Sequence, residues 1–302
     1  MRVFMTGATG FIGSAVVEKL QAGGHIVVGL AHSDRSVAAL RGRGIAPVRG
    51  GLEDTALLTA QARDAEAVIH LGATAGPGFP DADRRAVDAF LEGLEGSGKR
   101  FVYTSGVAVP GDTGQGVGDE EAPLDPAWKM AWRGVTERSA LDAAARGVHA
   151  IAIRPSMVHG RGRPGMAGVF VEGARGGLVR YVGSGEYRWS TVHVDDIADL
   201  YVRVLERADA GEVFIAAADE VVSFRELAEA TSRAAGGDGP VASWPLEEAR
   251  GALGLLADLM TVNAVVSGAK ARRTLGWAPH GAPLLAELAG DVEAALRPAR
   301  HG

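Results

Sequence analysis

The chain has 302 residues, a formal net charge of −6 and no cysteine, which excludes disulfides, thiolate metal sites and cysteine nucleophiles. Its length suits one large domain, or one domain with a smaller companion, at roughly 100–200 residues each. The acidic balance gives no reason to expect nucleic acid or an anionic membrane as partner, and no apolar run approaches the roughly 20 residues that span a bilayer. A first strand beginning at residue 2 leaves no room for a secretory leader, so cytoplasmic residence is the expectation.

The first apolar run, Val3-Phe4-Met5, reads as a buried parallel strand. Gly7, Gly10 and Gly13 follow, and then a helical pattern through Val16, Val17 and Leu20. Strand, glycine turn and helix form the layout that holds a dinucleotide pyrophosphate at a helix N-terminus. One glycine makes the turn, one admits the phosphates and one lets helix pack on strand. Residues 25–31 are the second strand, parallel to the first because a helix joins them. NAD-preferring folds place a carboxylate near the end of this strand, on the ribose 2′-hydroxyl. Here Ala31 holds that place, with His32, Ser33, Asp34 and Arg35 after it. That set suits the 2′-phosphate of NADP(H) better than NAD(H), and Asp34 reads as the N-cap of a helix over 36–41.

Residues 45–50 make the third strand, and Asp54 caps the next helix. Residues 67–71 make the fourth strand, with Gly72, Ala73 and Thr74 at its carboxyl end, where open parallel sheets bind ligands. His70, inside the apolar run, reads as a core histidine. A helix over 83–94 leads to the fifth strand, 99–105, which ends in Thr104 and Ser105. Residues 111–126, rich in Gly, Asp, Glu and Pro, read as a mobile loop. A long helix over 128–146 points Ala131, Val135, Ala140 and Leu141 at the core, and 148–153 is the sixth strand. The alternation predicts an α/β fold, a doubly wound parallel sheet of the Rossmann type, over 1–155.

Beyond residue 155 the alternation stops. Residues 160–165 read as a flexible basic loop and 169–175 as a short helix. Residues 190–199 read as a strand entering a helix that continues to 207. Residues 213–216 make another strand. Ser223 and Glu226 form a capping box for 224–235, 236–240 is a turn, and 246–256, 262–275 and 284–296 are helix or loop. The expected division is a dinucleotide domain over 1–155, to which 190–207 returns, and a substrate-binding subdomain from 156–189 and 208–302.

Together these segments resemble the extended short-chain dehydrogenase/reductases, the NAD(P)-dependent epimerase/dehydratase family, over almost the whole chain. Thr6-Gly-Ala-Thr-Gly-Phe-Ile-Gly13 is similar to its nucleotide loop and Val68-Ile-His-Leu-Gly-Ala73 to its fourth-strand motif. Val102-Tyr-Thr-Ser105 is similar to its fifth strand. Arg154-Pro-Ser-Met-Val-His-Gly160 resembles its Arg-Pro-x-x-Val-Tyr-Gly signature, and Val192-His-Val-Asp-Asp-Ile-Ala198 its later block. The resemblance implies cofactor contacts from Gly7, Thr9, Gly10, Phe11, Ile12 and Gly13 in the first loop. It implies others from His32, Ser33, Leu52, Leu71, Gly72 and Ala73, and from Thr104, Arg133, Pro155 and Met157. A homodimer through the helices over 83–94 and 128–146 is implied on the same ground.

The catalytic pattern of that family is missing. Its general acid/base is a Tyr four residues before a Lys that binds the nicotinamide ribose and lowers the phenol pKa. A Ser or Thr after the fifth strand orients the carbonyl. A free phenol near pKa ~10 needs such a cation to act at neutral pH. A Glu usually follows the Lys by four residues. With Glu137 as that landmark, Arg133 takes the Lys position, Lys129 the Tyr position and Gly106, one after Ser105, the Ser position. No tyrosine lies between residues 127 and 150.

The catalytic candidates are therefore Ser105, Lys129 and Arg133. Arg133 offers five donors and a permanent charge to the ribose. Lys129, one turn earlier on the same helix, would face Arg133, whose charge would draw its pKa towards neutrality and make it a proton donor. A solvated surface lysine is the alternative. Thr74, Val107, Trp132, Ser156, His159, Arg188 and Trp189 are the substrate-facing candidates, with an ion pair to Glu186 as the other reading of Arg188. His193 reads as a backbone-positioning residue, and Asp195, Asp196 and Asp199 as helix-start capping acids rather than metal ligands. The expected activity is NADP(H)-dependent oxidation or reduction of a small-molecule carbonyl, imine or alkene. A non-redox isomerase, lyase or cyclase and a non-catalytic nucleotide-binding regulator are the alternatives.

Overall fold

A computed structural model describes all residues except Ala75, Pro77, Pro164, 237–240 and 297–302. The turn expected over 236–240 thus lies, apart from Gly236, outside the described residues. The first half alternates β1 (Arg2–Thr6), α1 (Phe11–Ala22), β2 (Ile26–Ala31), α2 (Asp34–Arg41), β3 (Ala46–Arg49), α3 (Thr55–Asp64) and β4 (Ala67–His70). It continues through α4 (Phe79–Leu94), β5 (Arg100–Thr104), α5 (Ala131–Asp142) and β6 (His149–Pro155). Then come β7 (Met157–His159), α6 (Gly168–Arg175), β8 (Arg180–Val182), β9 (Arg188–His193), α7 (Val194–Arg207), β10 (Val213–Ala216), β11 (Val221–Ser223) and α8 (Phe224–Ala234). The chain ends with β12 (Ala242–Trp244), α9 (Leu246–Leu253), α10 (Leu255–Leu259), α11 (Ala269–Leu275) and α12 (Leu284–Leu296).

Seven parallel strands form one sheet in the order β10-β6-β5-β4-β1-β2-β3. Helices cover both faces, which is why β1, β4 and β5 read as continuous apolar runs rather than alternating ones. On one face α1 and α7 pack over Val3, Met5, Ile69 and Ile153. On the other, α3, α4 and α5 pack over Phe4, Val68, Phe101 and Tyr103. A third cluster, around Phe170, Trp189, Phe224 and Leu288, is the core of the C-terminal subdomain. No helix among the described residues is long and apolar enough to cross a membrane.

Several local expectations change. The N-cap of α2 is Ser33, whose hydroxyl accepts from the Ser36 amide, and Asp34 instead lies in the first turn and pairs with Arg49. Helix α5 starts at Ala131, because turns closing on the Asp125 and Trp128 carbonyls occupy the preceding residues. Val135 is 65% exposed on its outer face rather than in the core. Residues 111–126 are tied down: the Thr113 amide donates to the Asn263 carbonyl at 3.0 Å and Gly118 to Val265 at 2.8 Å. In the segment expected to be a flexible basic loop, Arg161 is likewise tied down, paired to Glu18 and Asp195. The return to the first sheet extends past 190–207, because β10 is its seventh strand.

Candidate active site

The glycine loop is shaped by close approaches. Gly7 has φ +69°, and a Cβ there would sit 2.5 Å from the Leu71 carbonyl oxygen; one on Gly13 would overlap the carbonyl of Gly7. With Gly10 as N-cap, α1 therefore starts hard against the end of β4, leaving first-turn amides unpaired within the helix. A cavity of about 580 Å³ opens here, lined by Thr6, Gly7, Thr9, Gly10, His32, Leu52, Leu71, Gly72, Ala73 and Thr74, together with Leu30, Gly50, Gly51 and Glu53. It thus gathers half of the expected cofactor residues, and Thr74, expected at the substrate, belongs to its wall. Phe11, Ile12 and Gly13 form the first turn of α1. Ser33 spends its hydroxyl on capping α2. A cradle that admits only glycine, facing amides at a helix start, fits a dinucleotide pyrophosphate.

Arg133, in the first turn of α5, is held from several sides. Its guanidinium lies 5.2 Å from the Phe79 ring and 5.1 Å from the Trp132 ring, which meet edge to face. Nη1 approaches the Ser105 carbonyl at 3.5 Å, and Nη2 lies 3.8 Å from Asp83 Oδ1. Nε is buried without a partner. Ser105 is 4% exposed, and its Oγ, like that of Ser156, is a buried hydroxyl with no hydrogen-bond partner. Both serines sit just past neighbouring strands, since Ser105 N donates to Ile153 and Ser156 N to Ala216. Unpaired buried hydroxyls are costly and uncommon, which marks this strand end as a place for a ligand's polar group.

Asp83 is 1% exposed at the start of α4. Its Oδ2 accepts from Tyr103 at 2.7 Å, and His70 Nε2 faces Oδ1 at 3.4 Å. His70 Nδ1 meets Thr6 Oγ1 at 2.6 Å, and that oxygen also accepts the amides of Leu71 and Gly72 at 3.1 and 2.8 Å. Burial pushes the Asp83 carboxyl up, but His70 and Arg133, with the Tyr103 hydrogen bond, pull it below the usual range. Burial and the Asp83 charge, against the pull of Arg133, drive the Tyr103 phenol far above its ordinary value.

Lys129 lies elsewhere than expected. It precedes α5, and its Nζ donates to Asp258 Oδ2 at 2.6 Å, so its partner is a carboxylate of the subdomain and not Arg133. Arg250 grips the other oxygen of Asp258 at 3.0 and 2.6 Å. Trp189 is 4% exposed and donates to the Val262 carbonyl, so it packs the subdomain core instead of lining a pocket. His159 is 1% exposed and faces Glu287 of α12 at 3.4 Å. Thr104 bonds Tyr201 of α7 at 2.7 Å, on the sheet face opposite Tyr103. Met157 and Val107 are buried in the subdomain cluster, and Pro155 ends β6. Arg188 lines a separate cavity of about 520 Å³ with Tyr187 and Asn263, while Glu186 pairs with Arg225. Trp128 donates to the Ala108 carbonyl, a packing role. His193 does position backbone: it caps α7, accepting the Asp195 amide. The three acids diverge, Asp195 to Arg161, Asp196 to the amides of His280 and Gly281, and Asp199 to Arg203.

Sequence reasoning missed Asp83, Tyr103 and Phe79. A signal existed for Asp83. It falls at helical spacing with Ala86, Val87, Phe90 and Leu91, all buried on α4, so a carboxylate stands on an apolar face. The Glu137 landmark has a physical basis, because Arg154 Nε and Nη2 grip it at 3.0 and 2.6 Å in the buried interior.

The NAD dependent epimerase/dehydratase family matches residues 3–217. The uncharacterized protein YLL056C of Saccharomyces cerevisiae is 36% identical, covering 95% of this chain and 98% of the yeast protein. A 2-alkyl-3-oxoalkanoate reductase of Stenotrophomonas maltophilia is 27% identical over 93% of this chain and 95% of its own. Among solved structures, the UDP-glucose 4-epimerase of Thermotoga maritima with UDP-glucose superposes with a TM-score of 0.82 at 23% identity, over 98% of both chains. That likeness bears on the fold.

Proposed function

From the membership of this chain in the NAD-dependent epimerase/dehydratase family, we infer that it is an NAD(P)H-dependent oxidoreductase acting on the carbonyl of a small molecule. The observation that carries this reading is Arg133, fixed beside Ser105 and joined through Asp83 and His70 to Thr6 and Gly72 on the cavity wall. In this reading Gly7, Gly10 and the first amides of α1 hold the pyrophosphate, and Arg133 donates to the nicotinamide ribose. The Ser105 hydroxyl, buried and unpaired, donates to the substrate carbonyl and polarises it. The nicotinamide, when bound, supplies or accepts hydride. Tyr103 is no substitute for the missing phenol, since its hydroxyl is committed to Asp83 inside the core. Arg133 stabilises the developing oxyanion by its fixed charge, and solvent delivers the proton.

NADP(H) is the favoured cofactor. His32 lines the cavity at the end of β2, Asp34 is exposed and pairs with Arg49, and the acid on the wall, Glu53, comes from the loop after β3. The 3-oxoacid named in the bacterial reductase sets the first substrates to try. Fluorescence titration is expected to give at least about tenfold tighter binding of NADPH than NADH, ~1.4 kcal/mol. Incubation with a panel of 3-oxo acids and esters should consume NADPH, followed by loss of its near-ultraviolet absorbance. Conversion of a substrate with no net change in cofactor would replace this reading with an isomerase or lyase. Equal affinity for the two nucleotides would remove the NADP assignment.

A further inference from the structure

We propose that Asp83 is a positioning residue that acts through Arg133, holding the guanidinium in place for the nicotinamide ribose. The inference rests on the reading of Arg133 as a cofactor ligand and adds the group that fixes it. Its basis is a chain of contacts with one consistent set of protons. Thr6 Oγ1 accepts two backbone amides, so its own hydrogen goes to His70 Nδ1. A neutral His70 then carries its proton on Nε2, which points at Asp83 Oδ1. Tyr103 donates to Oδ2. The carboxylate is thus held by the Tyr103 donor on β5 and faced by His70 on β4, two strands paired in the middle of the sheet.

Arg133 is the other charge in this group. Among the described residues, Asp83 is the acid recorded in an ion pair with it, at 3.8 Å, with the Arg133 side chain 16% exposed and Asp83 2%. A buried carboxylate without its cation is costly, and so is a half-buried guanidinium without its anion. Phe79 and Trp132 restrict the plane of the guanidinium, and Asp83 restricts its rotation along the stem. A long flexible side chain loses rotamer freedom when fixed. Fixing it in the folded protein spares that loss at the moment of binding. The same chain ends on the Gly72 amide, which lines the nucleotide cavity, so cradle and cation share one rigid support.

The test is a double-mutant cycle read as NADPH affinity by fluorescence titration, with circular dichroism and melting on every variant. Arg133→Ala is expected to weaken NADPH about tenfold, and Asp83→Asn about fivefold. In the Arg133→Ala background, Asp83→Asn should have no further effect, because its route to the cofactor is already gone. Equal weakening by Asp83→Asn in both backgrounds would mean general loosening of the site and would overturn the proposal. So would wild-type affinity in the Asp83→Asn single variant. If Arg133→Ala itself binds NADPH normally, the underlying reading of Arg133 fails, and the proposal with it. Should Asp83→Asn not fold, Tyr103→Phe frees Oδ2 while keeping the charge. It should weaken binding about threefold in the wild type and not at all in Arg133→Ala, and additive loss again overturns the idea.

Discussion

At the scale of single residues, the departure from the family pattern separates two cations that the sequence places side by side. Arg133 stays with the parallel-sheet domain, its guanidinium beside the Phe79 and Trp132 rings and facing Asp83. Lys129 leaves with the subdomain, because Asp258 is 7% exposed at its side chain and takes both Lys129 and Arg250. Burial raises the Asp258 carboxyl, and the Arg250 and Lys129 hydrogen bonds more than offset that, leaving it below its usual range. The Lys129 side chain is 50% exposed, and Arg250 still pairs Asp258 when it is removed. Such a contact contributes only about 0–1 kcal/mol. Lys129→Ala is therefore expected to keep NADPH affinity within about twofold and to melt almost with the wild type. If an oxidoreductase assay with a 3-oxo substrate shows this variant losing turnover at unchanged NADPH affinity, Lys129 regains the proton-donor role. The pairing of Lys129 was not legible, because Asp258 lies 129 residues away. Glu137 was legible only as a helix landmark; its grip by Arg154 of the Arg-Pro signature, a buried ion pair, came from the structure.

At the scale of elements, the core strands were readable because burial on both faces leaves a plain apolar run. The three-residue strands β7, β8, β11 and β12 were not, because their existence depends on partners far along the chain. The glycine-rich stretch at 111–126 misled for the same reason. Its composition says turn, and its backbone pairs with 263–267. Helix α12 docks through a polar cluster with no sequence signal beyond isolated letters. His159 Nδ1 and His193 Nε2 converge on Glu287 at 3.4 and 3.5 Å, with Asp195 and Asp196 on the α7 side and Asp291 one turn on from Glu287. Burial, with the neighbouring His193 charge and against Asp196, lowers the His159 pKa to about 4, whereas the unfolded chain titrates near ~6.5. Between those values the unfolded state holds the extra proton, so this residue's contribution is complete above pH ~6.5 and is lost as pH falls towards 4. Glu287 and Asp291, both raised chiefly by burial, act in the opposite sense and remain in a His159→Gln variant. Urea unfolding at pH 7 and pH 4.5 should show the wild type losing about 2–3 kcal/mol more stability than His159→Gln over that interval. Parallel losses would show that His159 is not buried neutral against α12.

At the scale of the whole molecule, the division at residue 155 follows the alternation of elements but not the core. The apolar layer over α1 draws nearly half its residues from beyond that point: Ile197, Leu200, Tyr201 and Val204 on α7, Phe214 on β10, Leu275 at the end of α11 and Trp277 after it. Strand β10 closes the sheet against β6 in parallel register, Phe214 opposite Ile153. Trp277 Nε1 bonds the Asp196 carbonyl at 2.8 Å, and the amides of His280 and Gly281 bond the Asp196 carboxylate. The last third of the chain is thereby riveted to the start of α7. Burying each large apolar side chain contributes ~1.5–3 kcal/mol, so removing this set exceeds the ~5–15 kcal/mol by which a domain is stable. A fragment of residues 1–155 is therefore expected to lack a cooperative melt, to bind a hydrophobic dye and to show no NADPH affinity, although it carries the whole glycine loop. The full chain should unfold in one transition, with tryptophan fluorescence and far-ultraviolet dichroism coincident, since Trp277 reports on the first layer and Trp189 on the subdomain. A fragment that melts cooperatively and binds NADPH would make 1–155 an autonomous domain and reduce α7 and β10 to ornaments on it.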